Sequence, residues 1–199
     1  IIMESISLVE RSRVKNELQF MSVAFKEWAL VCEALGNGRQ SLILRKGGIA
    51  EGRDGFAFKH PDFFLFPTWF HEQLGRTTLP PESDIPTQLD GEIEIRYAAT
   101  LEWSRLVTDA ALLPGLREFH ILHDDVVNER FRYDDHQGIH VGFVRVFRLA
   151  VPQRLADSKS YGGCRSWLDL PLMDDIARVP VISNEEHQRR QKKLEQILS

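Results

Sequence analysis

Apolar and polar positions change rhythm several times along the chain, and each change predicts an element. In "AFKEWALVCEALG", residues 24–36, the residues Phe25, Trp28, Ala29, Cys32 and Leu35 recur at the spacing of one helix face, with Gly36 as a terminator. A helix is expected there. "NGR" at 37–39 is turn chemistry, and "QSLILR", 40–45, is a short apolar run that predicts a buried strand. The aromatic stretch "FAFKHPDFFLFP", 56–67, predicts a strand stopped by Pro67. "TWFHEQLGR", 68–76, predicts a short helix with Thr68 as its N-cap.

Farther on, "EIEIRYAATLEW", 92–103, alternates as a strand does, and "EFHIL", 118–122, predicts another. "HDDVVNERFRY", 123–133, predicts a helix whose opening Asp124 and Asp125 suit the positive end of the dipole. "GIHVGFVRVFRLAVP", 138–152, gives the clearest strand signal. The closing "SNEEHQRRQKKLEQIL", 183–198, begins with a capping box, Ser183 and Glu186. That charged helix either projects or packs through Leu194, Ile197 and Leu198.

Strands interleave with short helices, without the long βαβ rhythm of a doubly wound sheet. The expected fold is α+β, a small mixed or antiparallel, barrel-like sheet with helices packed outside. The expected organisation is an N-terminal arm or helix over 1–23, one globular domain over 24–182 and a charged helix over 183–199. The loop 77–90, with three prolines, is the weakest internal joint but does not divide the domain.

Composition narrows the function only slightly. At 199 residues, with 29 acidic against 25 basic side chains, a net charge of −4 excludes a protein coated in basic surface, though not a local basic patch. Two cysteines, Cys32 and Cys164, make no disulfide framework, so a reducing, cytoplasmic setting is expected. No run approaches the ~20 apolar residues of a membrane span. The opening residues carry no basic-then-apolar leader pattern, so neither a membrane nor a secretory route is expected.

The stretches "FKEWALVCEALGNGRQSLILRKGGIAEG", "FLFPTWFHEQ", "NERFRY" and "YGGCRSWLDL" together resemble a bacterial family known as domain of unknown function 1802, from about Phe25 to Leu170. The family name implies no activity. A weaker resemblance, carried by a helix ending in glycine and then "GRQSLILR", is to ASCH domains of the PUA-like superfold. Their motif is Gly-x-Lys-x-x-Glu-x-Arg. Gly38 and Arg45 match it, whereas Gln40 stands for the lysine and Ile43 for the glutamate. This likeness implies a barrel that binds RNA or modified bases. The amide hydrolysis of some ASCH members uses the missing lysine and is not implied.

Candidate chemistry gathers around "RKGGIAEG". Arg45 offers a planar five-donor fork for phosphate, Lys46 adds a mobile charge, and Gly47 and Gly48 allow backbone N–H groups close to an anion. The spacing matches no phosphate-loop signature. Thr68 and His71, three residues apart, share a face of the expected helix, and His71 or Glu51 would be the acid/base of a hydrolase. Arg130 and Tyr133 in "NERFRY", and Arg165 and Trp167 in "GGCRSW", interleave cations with rings in the manner of base-stacking surfaces. Arg132, Arg145 and Arg148 extend that positive charge.

Other candidates are weaker. His120, His123, Asp124, Asp125, His136 and His140 follow no recognised metal-ligand spacing, so no metal or cofactor is expected. Glu92 and Glu94 approximate a nuclease carboxylate pair poorly, and Cys164 lacks an evident base. The sequence therefore favours a module that binds RNA, DNA or a nucleotide. The alternatives are a hydrolase acting on such a substrate, or a subunit whose C-terminal helix docks a protein partner.

Overall fold

The computed structural model describes residues 21–46, 56–83, 86–133, 137–171, 173 and 175–199. Among them, seven strands form one mixed α+β sheet. Strand β1 (Met21–Trp28) runs directly into helix α1 (Ala29–Gly36) and then β2 (Leu42–Arg45). β3 (Asp62–Thr68) and β4 (Glu92–Val107) precede a 3₁₀ segment, Ala110–Phe119, and helix α2 (Asp124–Phe131). β5 (Ile139–Ala156), β6 (Trp167–Pro171), β7 (Arg178–Pro180) and helix α3 (Asn184–Ile197) complete the chain.

The strand order is β2-β5-β4-β3-β1-β6, with β7 pairing β5 beyond β2. Among the described residues only β1 and β3 pair in parallel; the other ladders are antiparallel. The 16-residue β4 and 18-residue β5 bend at register shifts between Ile95 and Tyr97 and between Leu101 and Trp103. Such irregularities curl a sheet. The curl brings the β2 edge back toward β6, where Arg45 reaches Ser166 across the gap. No ladder joins β2 to β6 among the described residues, so the sheet is barrel-like but unclosed.

One apolar layer, with Phe25, Leu35, Leu65, Leu116 and Phe143, packs one face of the sheet against the helices. A second, with Phe64, Phe66, Ile95, Leu149 and Leu170, covers the other face. Helix α3 docks through fully buried Leu194, with Ile197 and Leu198 packed against the core. The capping box forms, Ser183 Oγ accepting from Glu186 N at 3.2 Å. No described helix is long and apolar enough to cross a membrane.

Several elements depart from expectation. Residues 24–28 are strand rather than helix, and helix begins only at Ala29. The cause is tertiary: Ala24, Phe25, Lys26 and Glu27 are all buried between β3 and β6, so burial there follows neither one helix face nor one strand face. β3 continues through Pro67 to Thr68, and the expected helix after it is a turn followed by a 3₁₀ turn, Leu74–Arg76. Buried Gln73 holds that turn, its Oε1 accepting from Leu30 N at 3.2 Å and its Nε2 donating to the Thr68 carbonyl at 2.5 Å. The expected strand at 118–122 is the end of the 3₁₀ segment plus one bridge, Thr77 to Leu122. Leu113, Leu116 and Phe119 are buried at the three-residue spacing that a 3₁₀ helix stacks on one side.

Candidate functional site

β1 carries two charged residues in consecutive buried positions, Lys26 at 8% and Glu27 at 1% exposed. Strand geometry sends them to opposite faces of the sheet. The Lys26 backbone N–H donates to the Ser166 carbonyl at 2.8 Å, and its Nζ donates to the Gly163 carbonyl at 3.0 Å. Arg45, the last residue of β2, donates from Nε to Ser166 Oγ at 3.2 Å, and its guanidinium lies 5.6 Å from the Phe25 ring centroid. Ser166 thus links the two strands, its hydroxyl holding the Arg45 guanidinium and its carbonyl the β1 backbone at Lys26, while the Lys26 ammonium is held by Gly163. Exposed Arg165 immediately precedes Ser166 and donates to the Ser160 carbonyl.

The electrostatics follow from this crowding. Burial holds the Lys26 ammonium below its ordinary pKa, and the nearby Arg165 and Arg45 charges push it in the same direction. Among the described residues, no carboxylate forms an ion pair with Lys26, Arg45 or Arg165. The seam between the sheet edges therefore carries positive charge that the described chain leaves unneutralised.

On the opposite face, Glu27 Oε1 accepts from Trp28 N at 2.9 Å, while Oε2 is buried without a hydrogen-bond partner. The nearest cation is Arg130, whose Nη2 lies 3.9 Å from Oε1. Arg130 Nη1 donates to the Leu44 carbonyl at 2.6 Å, and the guanidinium sits 4.8 Å from the Trp28 ring. Burial lowers the Arg130 pKa and the Glu27 charge opposes that shift. Thr68 Oγ1 donates to the Glu27 carbonyl at 3.0 Å, so half-buried Thr68 braces β1, as Arg130 does from the Glu27 side.

The Trp167 ring is packed as well. Trp167 Nε1 donates to the Ala57 carbonyl at 3.2 Å, and its ring meets Phe25, Phe63 and His60 edge-on at 4.9, 5.3 and 4.9 Å. Tyr133 is 64% exposed just past α2. Lys46 is half-buried directly after β2. Gly47, Gly48 and Glu51 lie outside the described residues, as does His136. His71 is exposed in the turn after β3, and no hydrogen bond or ion pair among the described residues joins it to Arg45, Lys26 or Arg130.

The remaining candidates fall into structural roles. Glu94 bonds Arg96 and Arg154, and the Arg96 contact holds its carboxyl below the usual range. Arg145 donates to the Ile182 and Ser183 carbonyls and to Asn184 Oδ1, while Arg148 caps α1 through the Gly36 carbonyl. Among the described residues no three His, Cys, Asp or Glu side chains group to hold a metal ion. Cys164 is exposed and unpaired.

Sequence reasoning missed Lys26, Glu27 and Ser166. The available signal was the Lys-Glu pair interrupting an apolar run between Phe25 and Trp28. On a helix such a pair reads as the solvent face.

The family described as a domain of unknown function (DUF1802) matches residues 24–193. No curated protein matches. Among solved structures, the chain is similar to a mutant ASCH protein, ZmASCH from Zymomonas mobilis. The identity is 9% and the TM-score 0.46, over 86% of this chain and 94% of that one.

Proposed function

This chain belongs to the DUF1802 family, and on that premise we propose that it binds nucleic acid or nucleotides through a phosphate-binding seam of Lys26, Arg45 and Arg165. One observation carries this reading. The Arg45 guanidinium is bonded to Ser166, Arg165 precedes that serine, the Lys26 ammonium is close enough to both for their charges to lower its pKa, and no described carboxylate forms an ion pair with any of the three. Holding like charges together is costly, and an anion seated among them reverses the sign of that cost. Phosphate suits the set, because Arg45 supplies a planar fork and Lys26 a point charge.

Lys46 and the glycines that follow Arg45 in sequence extend the same reading, while Thr68 and Arg130 act as its frame. Trp167 follows Arg165 by two residues and Tyr133 follows Arg130 by three, and these rings favour a ligand that carries bases. A net charge of −4 favours an interaction confined to this patch over one spread across the whole surface. The unpaired thiols Cys32 and Cys164 support a reducing, cytoplasmic setting.

The test is fluorescence anisotropy with labelled single-stranded RNA, single-stranded DNA and duplex DNA over a salt series. Affinity should fall as salt rises, with a log–log slope near −0.7 per phosphate contacted on a single strand. Arg165→Ala, at an exposed position, should make that slope shallower by about 0.7 without unfolding the chain. An absence of binding at low salt to every probe, mononucleotides included, would retire the reading.

A further inference from the structure

Lys26 faces a second feature on the side of the sheet away from Glu27. There a surface cleft of about 620 Å³ opens between the end of β3, the start of β4 and the 3₁₀ turn at Lys159–Tyr161. Its walls include Trp69, Tyr161, Lys159, Gln88 and Ser158, with Lys26 and Thr68 beside them. One carboxylate, Asp157, lines the cleft together with two lysines.

The walls are set by internal contacts. Trp69 Nε1 donates to the Pro86 carbonyl at 2.9 Å, which fixes the indole plane. The Tyr161 ring meets Phe66 edge-on at 5.4 Å. Ser158 Oγ accepts from Ser160 N at 3.2 Å and so caps the turn that presents Lys159 and Tyr161. The cleft therefore offers two positioned rings and two cations, at a size common for small-ligand sites.

We propose that this cleft receives one nucleotide unit, its base against Trp69 and Tyr161 and its phosphate toward Lys26 and Lys159. The inference rests on the nucleotide-binding reading and deepens it, since Lys26 belongs to both the seam and the cleft. An apolar ligand would leave the lysines without an anion, and a bare anion would make no use of the rings. A nucleoside monophosphate uses both, through stacking and charge.

The full chain would be titrated by calorimetry with the four ribonucleoside 5′-monophosphates, with adenosine and with inorganic phosphate. At least one monophosphate should bind more tightly than adenosine and phosphate. Tyr161→Ala and Lys159→Ala should each weaken it about ten-fold, with the circular dichroism spectrum unchanged. Inorganic phosphate binding as tightly as every monophosphate would overturn the proposal, as would variants that bind like the parent chain. Salt-dependent oligonucleotide binding with no monophosphate binding would overturn the cleft and leave the seam standing. Monophosphate binding without oligonucleotide binding would support the cleft and restrict the ligand to free nucleotides.

Discussion

Arg45 and Ser166 are 121 positions apart in the chain, yet the Arg45 Nε–H donates to Ser166 Oγ at 3.2 Å. That bond spans the open side of the sheet, between the end of β2 and the start of β6. The carbonyl of the same serine receives the Lys26 backbone N–H at 2.8 Å, so one neutral residue joins β1 to the Arg45 end of β2. The frame around this seam, and the charge it holds, lead to four predictions.

The first concerns the Glu27 carboxylate. Arg130 is its nearest cation, at 3.9 Å, and Glu27 is almost wholly buried. Arg130→Ala should cost about 3–5 kcal/mol by leaving that charge unpaired. Adding Glu27→Gln should recover part of the loss, because the orphaned charge is then gone. Urea denaturation of the two single variants and the double variant measures the coupling.

Lys26 should make anion binding sensitive to alkali. Its pKa lies below the ordinary 10.5, through burial and then repulsion by Arg165 and Arg45. As pH rises, Lys26 loses its charge earlier than a free lysine would, so affinity for phosphate-bearing probes should decline below pH 10.5. Lys26→Met should bind more weakly at neutral pH and show no such decline. Anisotropy titrations between pH 7 and 10 report both.

A third prediction concerns stability in mild acid. Burial holds His120 at a pKa of about 4, down from 6.5. Its Nδ1 accepts from Leu122 N at 3.2 Å, and its Nε2 is buried without a partner. Between pH 6.5 and 4 the unfolded chain binds a proton that the folded chain refuses, so stability should fall as pH drops through that window. The full loss is about 3 kcal/mol, complete near pH 4. Urea midpoints from pH 7 to 4.5 measure it, and His120→Gln should flatten the slope. His187, also lowered by burial and then by Arg145, leaves a residual slope of the same sign.

Helix α3 should loosen without Arg145. This buried arginine on β5 donates to the Ile182 and Ser183 carbonyls and to Asn184 Oδ1, pinning the helix start, while Leu194 anchors its far end. Arg145→Ala should speed amide exchange across Asn184–Ile197 far more than in β4 or β5. Leu194→Ala should cost about 2–5 kcal/mol of global stability by opening a cavity. Hydrogen-exchange mass spectrometry distinguishes local release of the helix from global unfolding.

The sequence by itself determined the elements whose signal is local. The long alternation from Glu92, the run after Gly138, the acidic start of α2 and the capping box at Ser183 each encode their own backbone preference, and each formed. The α+β class followed from their interleaving. The match to a family of unknown function over residues 24–193 agrees with the resemblance carried by the quoted stretches. What only the tertiary structure decided is how buried charges are placed. Lys26 and Glu27 look like a helix's wet face in sequence, because an isolated chain has no reason to bury both. They lie inside because β3 and β6 flank β1 and supply backbone partners. Gly36 has the same lesson: it reads as a helix terminator, yet the residue with positive φ is Gly38, at 77°. Gly36 is required because a Cβ there would overlap the Tyr97 ring arriving from β4. Contacts between residues more than a hundred positions apart, such as Arg45 with Ser166, depend on how far the sheet curls. That curl is a sum over every ladder, and no single stretch of sequence contains it.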